Sequence, residues 1–342
     1  MRSSPSPRWT LDSAPVRSAA RSNADWRGGA VGDTKYSVAS DLLDAWYENL
    51  LSGEPPVRFR VHDGALNIFE LAPGLITLLG GPPGIGKTAF SMQCIIHSLR
   101  YHEDLRVAVC NVEMSPESLL ERALAHVSGV PLTRIRDRQV KDEEVQERLS
   151  AGMEILKAVA PRLCFIRPPL EIWNVLTAAK DFEAGLLVVD YIQRLRVEGQ
   201  EYGSRGQVDE TMAILRRAAL GGLGILAVSA ISRNKGANGG SGYDPDAMGL
   251  ASFRESSELE YGADSAYVLV PADGLDDQVM LKGLKNRHGE TRSISMHFQK
   301  KVQRFLTLDE TAAVGSEPTA QKSKLEQAQE LWNNRAGGDK NT

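Results

Sequence analysis

Two rhythms of apolar and polar residues alternate along the middle of the chain. Residues 75–79, 106–112, 163–166, 186–189 and 225–229 are short, nearly unbroken apolar runs, the pattern of strands buried on both faces. Between them, residues 87–100 and the charged segment 141–158 read as helices. A third helix is announced by Ser115 as N-cap and Pro116 in its first turn. Strands alternating with helices imply parallel pairing through right-handed crossovers, so the predicted class is α/β, a mostly parallel twisted sheet flanked by helices. Beyond Ala266 the rhythm changes to closely spaced strands near 267–270, 279–284, 293–298 and 303–308, which extend the sheet by antiparallel hairpins.

The ends follow neither rhythm. Residues 1–35 are rich in Ser, Arg, Pro and Ala, bury too little apolar surface to offset chain entropy, and are expected to form a disordered arm. Their Arg/Ser bias has something of an organelle transit peptide, which Asp12 and Asp25 interrupt. Residues 36–55 hold an amphipathic helix, with Leu42, Leu43, Trp46 and Leu50 on one side, Asp41, Asp44 and Glu48 on the other, and Gly53, Pro55 and Pro56 as its stop. Its apolar side packs on its own domain or docks on a neighbouring subunit. Residues 56–310 form the α/β domain, and 311–342 a polar tail with one short helix around 324–332.

Composition narrows the class. The 342 residues carry a net charge of −4, which argues against coating nucleic acid through bulk positive charge; any such contact is local. Cys94, Cys110 and Cys164 lie in apolar segments without metal-ligand spacing and read as reduced core residues. No run approaches the roughly 18 apolar residues of a membrane span, and no apolar stretch follows the N-terminus as a signal peptide requires, so the expected place is the cytoplasm with no membrane partner.

Gly81-Pro82-Pro83-Gly84-Ile85-Gly86-Lys87-Thr88, followed by Ala89, carries candidate chemistry. It meets the phosphate-loop pattern G-x-x-x-x-G-K-[ST], placed after a strand and before a helix. Glycines let backbone N–H groups turn inward around phosphates, and the helix N-terminus adds its positive end. Lys87 then meets the β- and γ-phosphates of ATP or GTP, and the Thr88 hydroxyl ligates Mg²⁺. The bland alternative is a Gly-rich turn that contains a lysine. A second magnesium ligand belongs at the end of a buried strand, where four apolar residues lead into Asp190; capping a turn is its alternative. Glu113, at another strand end, is a candidate base for the attacking water, although an exposed helix-leading Glu reads the same way.

Several blocks in this order make a more specific pattern. They are residues 80–90, Asn111-Val112-Glu113-Met114-Ser115, Val189-Asp190-Tyr191-Ile192-Gln193, Phe253-Arg254-Glu255-Ser256-Ser257-Glu258-Leu259-Glu260 and Lys285-Asn286-Arg287-His288-Gly289. Over residues 59–308 the chain resembles the C-terminal motor domain of DnaB-type replicative helicases, a RecA-like P-loop NTPase fold. The resemblance implies that Glu113 is the catalytic glutamate and Asp190 the magnesium aspartate. It also implies that Lys285 and Arg287 are catalytic cations reaching the neighbouring subunit's γ-phosphate. Arg254, Glu255 and Ser257 match the loop that lines the family's central channel and touches DNA, with Ser257 in place of a glycine, and Arg233 lies by a Gly/Asn-rich segment that looks like a loop facing the same channel. The implied partners are single-stranded DNA, identical subunits in a hexameric ring with ATP sites at subunit interfaces, and a loader or primase.

Two departures matter. The family's helical N-terminal domain has no counterpart in residues 1–55, so the helix at 38–51 looks like the linker that docks on the next protomer. In Val228-Ser229-Ala230 the alanine stands where the family has glutamine, so either Ser229 substitutes or the coupling of hydrolysis to movement is altered. The Lys285–Gly289 block also looks like RadA branch-migration ATPases, whose zinc-binding cysteines are missing before this phosphate loop. The leading expectation is a ring-shaped ATP-dependent translocase and helicase on single-stranded DNA. The alternatives are a helicase-derived ATPase acting as loader, switch or defence-system subunit without unwinding, and a nucleotide-binding scaffold with little turnover.

Overall fold

The apolar runs become the strands of one sheet in the computed structural model, which describes residues 38–62, 64–198, 203–231, 234–235, 241–242, 249–253, 257–272 and 277–315. The strands are β1 (Ile76–Gly80), β2 (Val107–Asn111), β3 (Leu163–Phe165), β4 (Leu186–Asp190), β5 (Gly224–Val228), β6 (Ser265–Pro271), β7 (Gln278–Asn286), β8 (Ser293–Gln299) and β9 (Arg304–Thr307). Their spatial order is β9-β8-β7-β6-β1-β5-β4-β2-β3. All pairings from β6 across β1 to β3 are parallel, and those from β6 to β9 are antiparallel. A mostly parallel sheet with antiparallel C-terminal hairpins is what the change of rhythm predicts.

Alternation along each strand splits the core into two. Ile76 and Leu78 of β1 join Ala108, Leu187 and Ile225 under α6 (Ile172–Asp181) and α7 (Ser204–Leu220). Leu79 joins Val107, Val109, Val188 and Leu226 under α2 (Lys87–Tyr101) and α3 (Pro116–Ser128). Both faces are covered, which is why these strands read as continuous apolar runs. The predicted helices appear as α2, α3 and α5 (Glu143–Val159), with the short α4 (Leu132–Arg136) between the last two; α6 and α7 add to them. Ser115 caps α3 by accepting from the Ser118 N–H at 3.3 Å, as its position predicts. Cys94 and Cys110 are buried free thiols and Cys164 is a half-buried one.

A helix runs across the expected 310/311 boundary. Thr307 ends β9 and caps α9 (Leu308–Gly315): its N–H and hydroxyl donate to Glu310 Oε2 at 2.8 and 2.9 Å, and the Glu310 N–H donates back to Thr307 Oγ1. This is a capping box, and it carries the ordered chain past the point where apolar periodicity stops. At the other end, every residue of α1 (Ala39–Leu51) is exposed, with Leu42, Leu43, Trp46 and Leu50 each more than half exposed. The helix therefore does not bury its apolar side on its own domain. The expected N-terminal arm and the helix around 324–332 lie outside the described residues.

Candidate nucleotide site

β1 delivers the chain to the carboxyl edge of the sheet, where Gly81–Lys87 must turn before α2 can start. Pro83 and Gly84 form an exposed crest, while Gly81, Pro82, Lys87 and Ala89 are buried and Ile85 and Gly86 half-buried. Gly86 has φ +101°, and a Cβ there would stand 2.7 Å from the Phe298 ring, so no other residue fits. Its carbonyl accepts from the Phe90 N–H at 2.8 Å, which starts the helix.

Lys87 Nζ donates to the carbonyls of Gly81 and Pro82 at 2.8 and 3.0 Å and lies 5.3 Å from the Tyr191 ring centre. Burial pushes this ammonium down to about 8, against the opposing charges of Asp190 and Glu113. Thr88 Oγ1 donates to Asp190 Oδ2 at 2.7 Å, although 102 residues separate them. Asp190 closes β4 at 2% exposure; burial pushes its carboxyl up to about 6, opposed by the Thr88 hydrogen bond and the Lys87 charge.

Asn111, at the end of β2, braces this carboxylate and sets the next strand end. Its Nδ2 donates to Asp190 Oδ2 at 2.9 Å, and its Oδ1 accepts the N–H groups of Glu113 and Met114 at 3.0 and 2.8 Å. Glu113 is thereby held at an exposed strand end, close enough for its charge to act on Lys87 and Asp190. Lys87, Thr88, Glu113 and Asp190 thus converge on one edge of the sheet.

The donor set suits magnesium. Asp190 Oδ1 is buried and has no hydrogen-bond partner among the described residues, and it stands beside a hydroxyl that already shares the other oxygen. Hard oxygens of this kind, few in number, match a cation that keeps most of its waters and its nucleotide oxygens. Thr88 Oγ1 and Asp190 would hold it.

Lys285 and Arg287 are not brought here. Lys285 Nζ donates to the carbonyls of Glu260, at 2.6 Å, and Tyr261, at the end of α8 (Ser257–Gly262). Arg287 reaches Asp264, whose carboxylate accepts the Ile76 N–H at 2.8 Å. Ile76 begins β1 and Gly80 ends it, so the pair sits at the opposite end of the strand from its own phosphate loop. Ser257 begins α8, with only its backbone described; Arg233, Arg254 and Glu255 lie outside the described residues.

Ser229, the residue that would replace the missing glutamine, is engaged elsewhere in this structure. Its side chain is fully buried, and Oγ accepts from Gln193 Nε2 at 2.6 Å, while Gln193 Oε1 takes the Ala230 N–H at 3.3 Å. Asn111, Gln193 and Asp264 are polar groups that apolar patterning does not single out. An Asn ending a strand two residues before an acid is the one usable signal.

A family model described as the DnaB-like helicase C terminal domain matches residues 67–307. The chain belongs to this family. Among its relatives, a probable plasmid replicative DNA helicase of Chlamydia trachomatis is 23% identical over 238 residues, covering 69% of this chain and 51% of that one. The replicative DNA helicase DnaB of Synechocystis is 28% identical over 203 residues, covering 56% of this chain and 22% of that protein. This DnaB-like chain therefore spans about half the length of the chlamydial relative. Among solved structures, one described as an ATPase domain superposes with a TM-score of 0.69 at 19% identity, over 80% of this chain and 99% of that domain. A DnaB-like replicative helicase, solved in a study of its interactions with primase, superposes with a TM-score of 0.67 at 18% identity, over 82% and 68%. These likenesses make the fold RecA-like.

Proposed function

We propose that this chain is an ATP-hydrolysing, single-stranded-DNA translocase of DNA replication, serving a chromosome, plasmid or phage in the cytoplasm and working as a helicase in a hexameric ring of identical subunits. The observation that carries the reading is the 2.7 Å contact between Thr88 and Asp190, which joins the phosphate loop to a buried carboxylate one strand beyond β5. Backbone N–H groups of Gly84 to Ala89 and the N-terminus of α2 receive the ATP phosphates. Phosphate charge arriving beside Lys87 keeps its ammonium protonated, against the burial that pushes it down. Mg²⁺, when bound, neutralises charge on the β- and γ-oxygens. Glu113 takes the proton of the attacking water, and Asn111 holds it in place.

Lys285 and Arg287 serve the γ-phosphate of the neighbouring subunit, so turnover depends on assembly. The apolar side of α1 docks on that neighbour. Arg254, Glu255, Ser257 and Arg233 touch successive phosphates of the strand, and many weak contacts around a ring hold DNA despite the net charge of −4. A loader or primase is the expected further partner.

A second reading, a nucleotide-driven switch or loader without unwinding, is favoured by Ala230, whose methyl group replaces an amide, and by Gln193, which is occupied in tying it down. ATP turnover with and without single-stranded DNA, together with strand displacement on a forked duplex, separates the two for wild type and Lys87→Ala. Turnover stimulated by DNA with displacement supports the helicase. Turnover indifferent to DNA supports the switch, and unchanged turnover by Lys87→Ala refutes the site itself.

A further inference from the structure

Asp264 is an acid with more partners than its charge requires. Its side chain is 3% exposed, and Arg216 of α7 already grips it through two hydrogen bonds of 2.6 and 2.8 Å. The remaining acceptor positions take the Ile76 N–H at 2.8 Å and Arg287 Nη1 at 3.3 Å. The Asp264 carbonyl also accepts the Arg287 backbone N–H at 2.9 Å. On its other side, Arg287 Nη2 donates to the carbonyl of Tyr261. The guanidinium is held on two sides by one buried carboxylate and one helix-end carbonyl, while its side chain stays 40% exposed.

A planar guanidinium has five N–H donors. Two are used among the described residues, which leaves three for a ligand approaching from solvent. An arginine held in this way has lost most of the rotamer freedom that a phosphate would otherwise have to quench.

We propose that Asp264, fixed by Arg216, is the positioning residue for Arg287 and presents its free N–H groups to the neighbouring subunit's nucleotide. This rests on the trans role of Arg287 proposed above. Asp264 touches no nucleotide itself. Arg216 neutralises the carboxylate, so the contact with Arg287 orients that cation without cancelling its charge.

The test is a double-mutant cycle on the full chain, reading kcat and KM for ATP, oligomer mass and nucleotide binding. Asp264→Asn keeps the shape and an acceptor for Ile76 but weakens the hold on Arg287. Its kcat should fall about tenfold or more with KM and oligomer mass unchanged. Added to Arg287→Ala, it should cause no further loss. If Asp264→Asn alone folds poorly, Asp264→Asn with Arg216→Met removes the orphaned guanidinium, and the same cycle is run on that pair. Losses that multiply with Arg287→Ala, or a pair that regains kcat along with stability, would show a structural carboxylate and overturn the proposal. Normal turnover by Arg287→Ala would overturn the trans role first and this inference with it.

Discussion

Gln93 is a buried amide that acts as a missing strand. On the edge strand β9, Phe305 turns its N–H and C=O away from β8, and the Gln93 side chain takes both: Phe305 N–H donates to Oε1 at 2.8 Å, and Nε2 donates to the carbonyl at 2.9 Å. Gln93 is 2% and Phe305 1% exposed. Gln93→Met keeps the volume and removes both partners. Each buried backbone group left unpaired costs about 1–3 kcal/mol. Gln93 and Phe305 also line a cavity of about 230 Å³, large enough to admit water, which pulls the sum towards its lower half. The expected loss is about 2–4 kcal/mol, measured by urea denaturation followed by far-UV circular dichroism.

A functional effect should accompany it. The Phe305 ring stacks on Phe298 at 4.1 Å, and both rings close on Gly86 at the foot of α2. A loosened β9 should weaken nucleotide binding a few-fold, read by titration with a fluorescent ATP analogue. A stability loss under about 1 kcal/mol together with unchanged affinity would refute the reasoning.

Burial, with His97 and Arg304 adding to it, pushes the His126 imidazole down to about 3. The unfolded chain takes that proton below about 6.5 and the folded one does not, so stability should fall as pH drops from about 6.5 towards 3, by up to about 1.4 kcal/mol per unit. His126→Gln should flatten that slope in urea titrations at about pH 7 and about pH 5; equal slopes in both proteins would count against it. Asn111→Ala removes the acceptor for the Glu113 and Met114 N–H groups and should lower kcat about tenfold or more while ATP still binds, which single-turnover kinetics can check. Replacing Leu43, Trp46 and Leu50 together by Ser should reduce oligomer mass in light scattering without lowering the protomer's melting temperature, because α1 has no buried residue.

The sheet was legible because its strands are buried on both faces, and a run such as Leu186-Leu187-Val188-Val189 leaves little else to be. The phosphate loop was legible because only glycines tolerate φ values such as +101° at Gly86. α7 was harder. Its buried face includes Thr211, and a helix whose mean hydropathy is low carries its signal only in spacing, through Val208, Met212, Leu215 and Ala219. Beyond the local bonds of Asn111 to the Glu113 and Met114 N–H groups, the contacts of Asn111 with Asp190, of Gln193 with Ser229 and of Asp264 with Ile76 and Arg287 were not legible. Each joins segments distant in the chain, such as the 188 residues between Ile76 and Asp264, and no local pattern encodes such a pairing.

In the ring proposed, the placement of Asp264 would give β1 a second role. At its start, the Ile76 N–H is held by the carboxylate that grips Arg287. At its end, Gly80 leads to Gly81, whose carbonyl holds Lys87. Five buried residues at about 3.3 Å per residue separate the two ends by about 13 Å, too far for one subunit's arginine to reach its own loop. In a ring assembled as proposed, each β1 would lie between the nucleotide its own subunit binds and the one that subunit helps to hydrolyse. Occupancy of one site would then bear on the next through a single strand and the glycine loop that follows it.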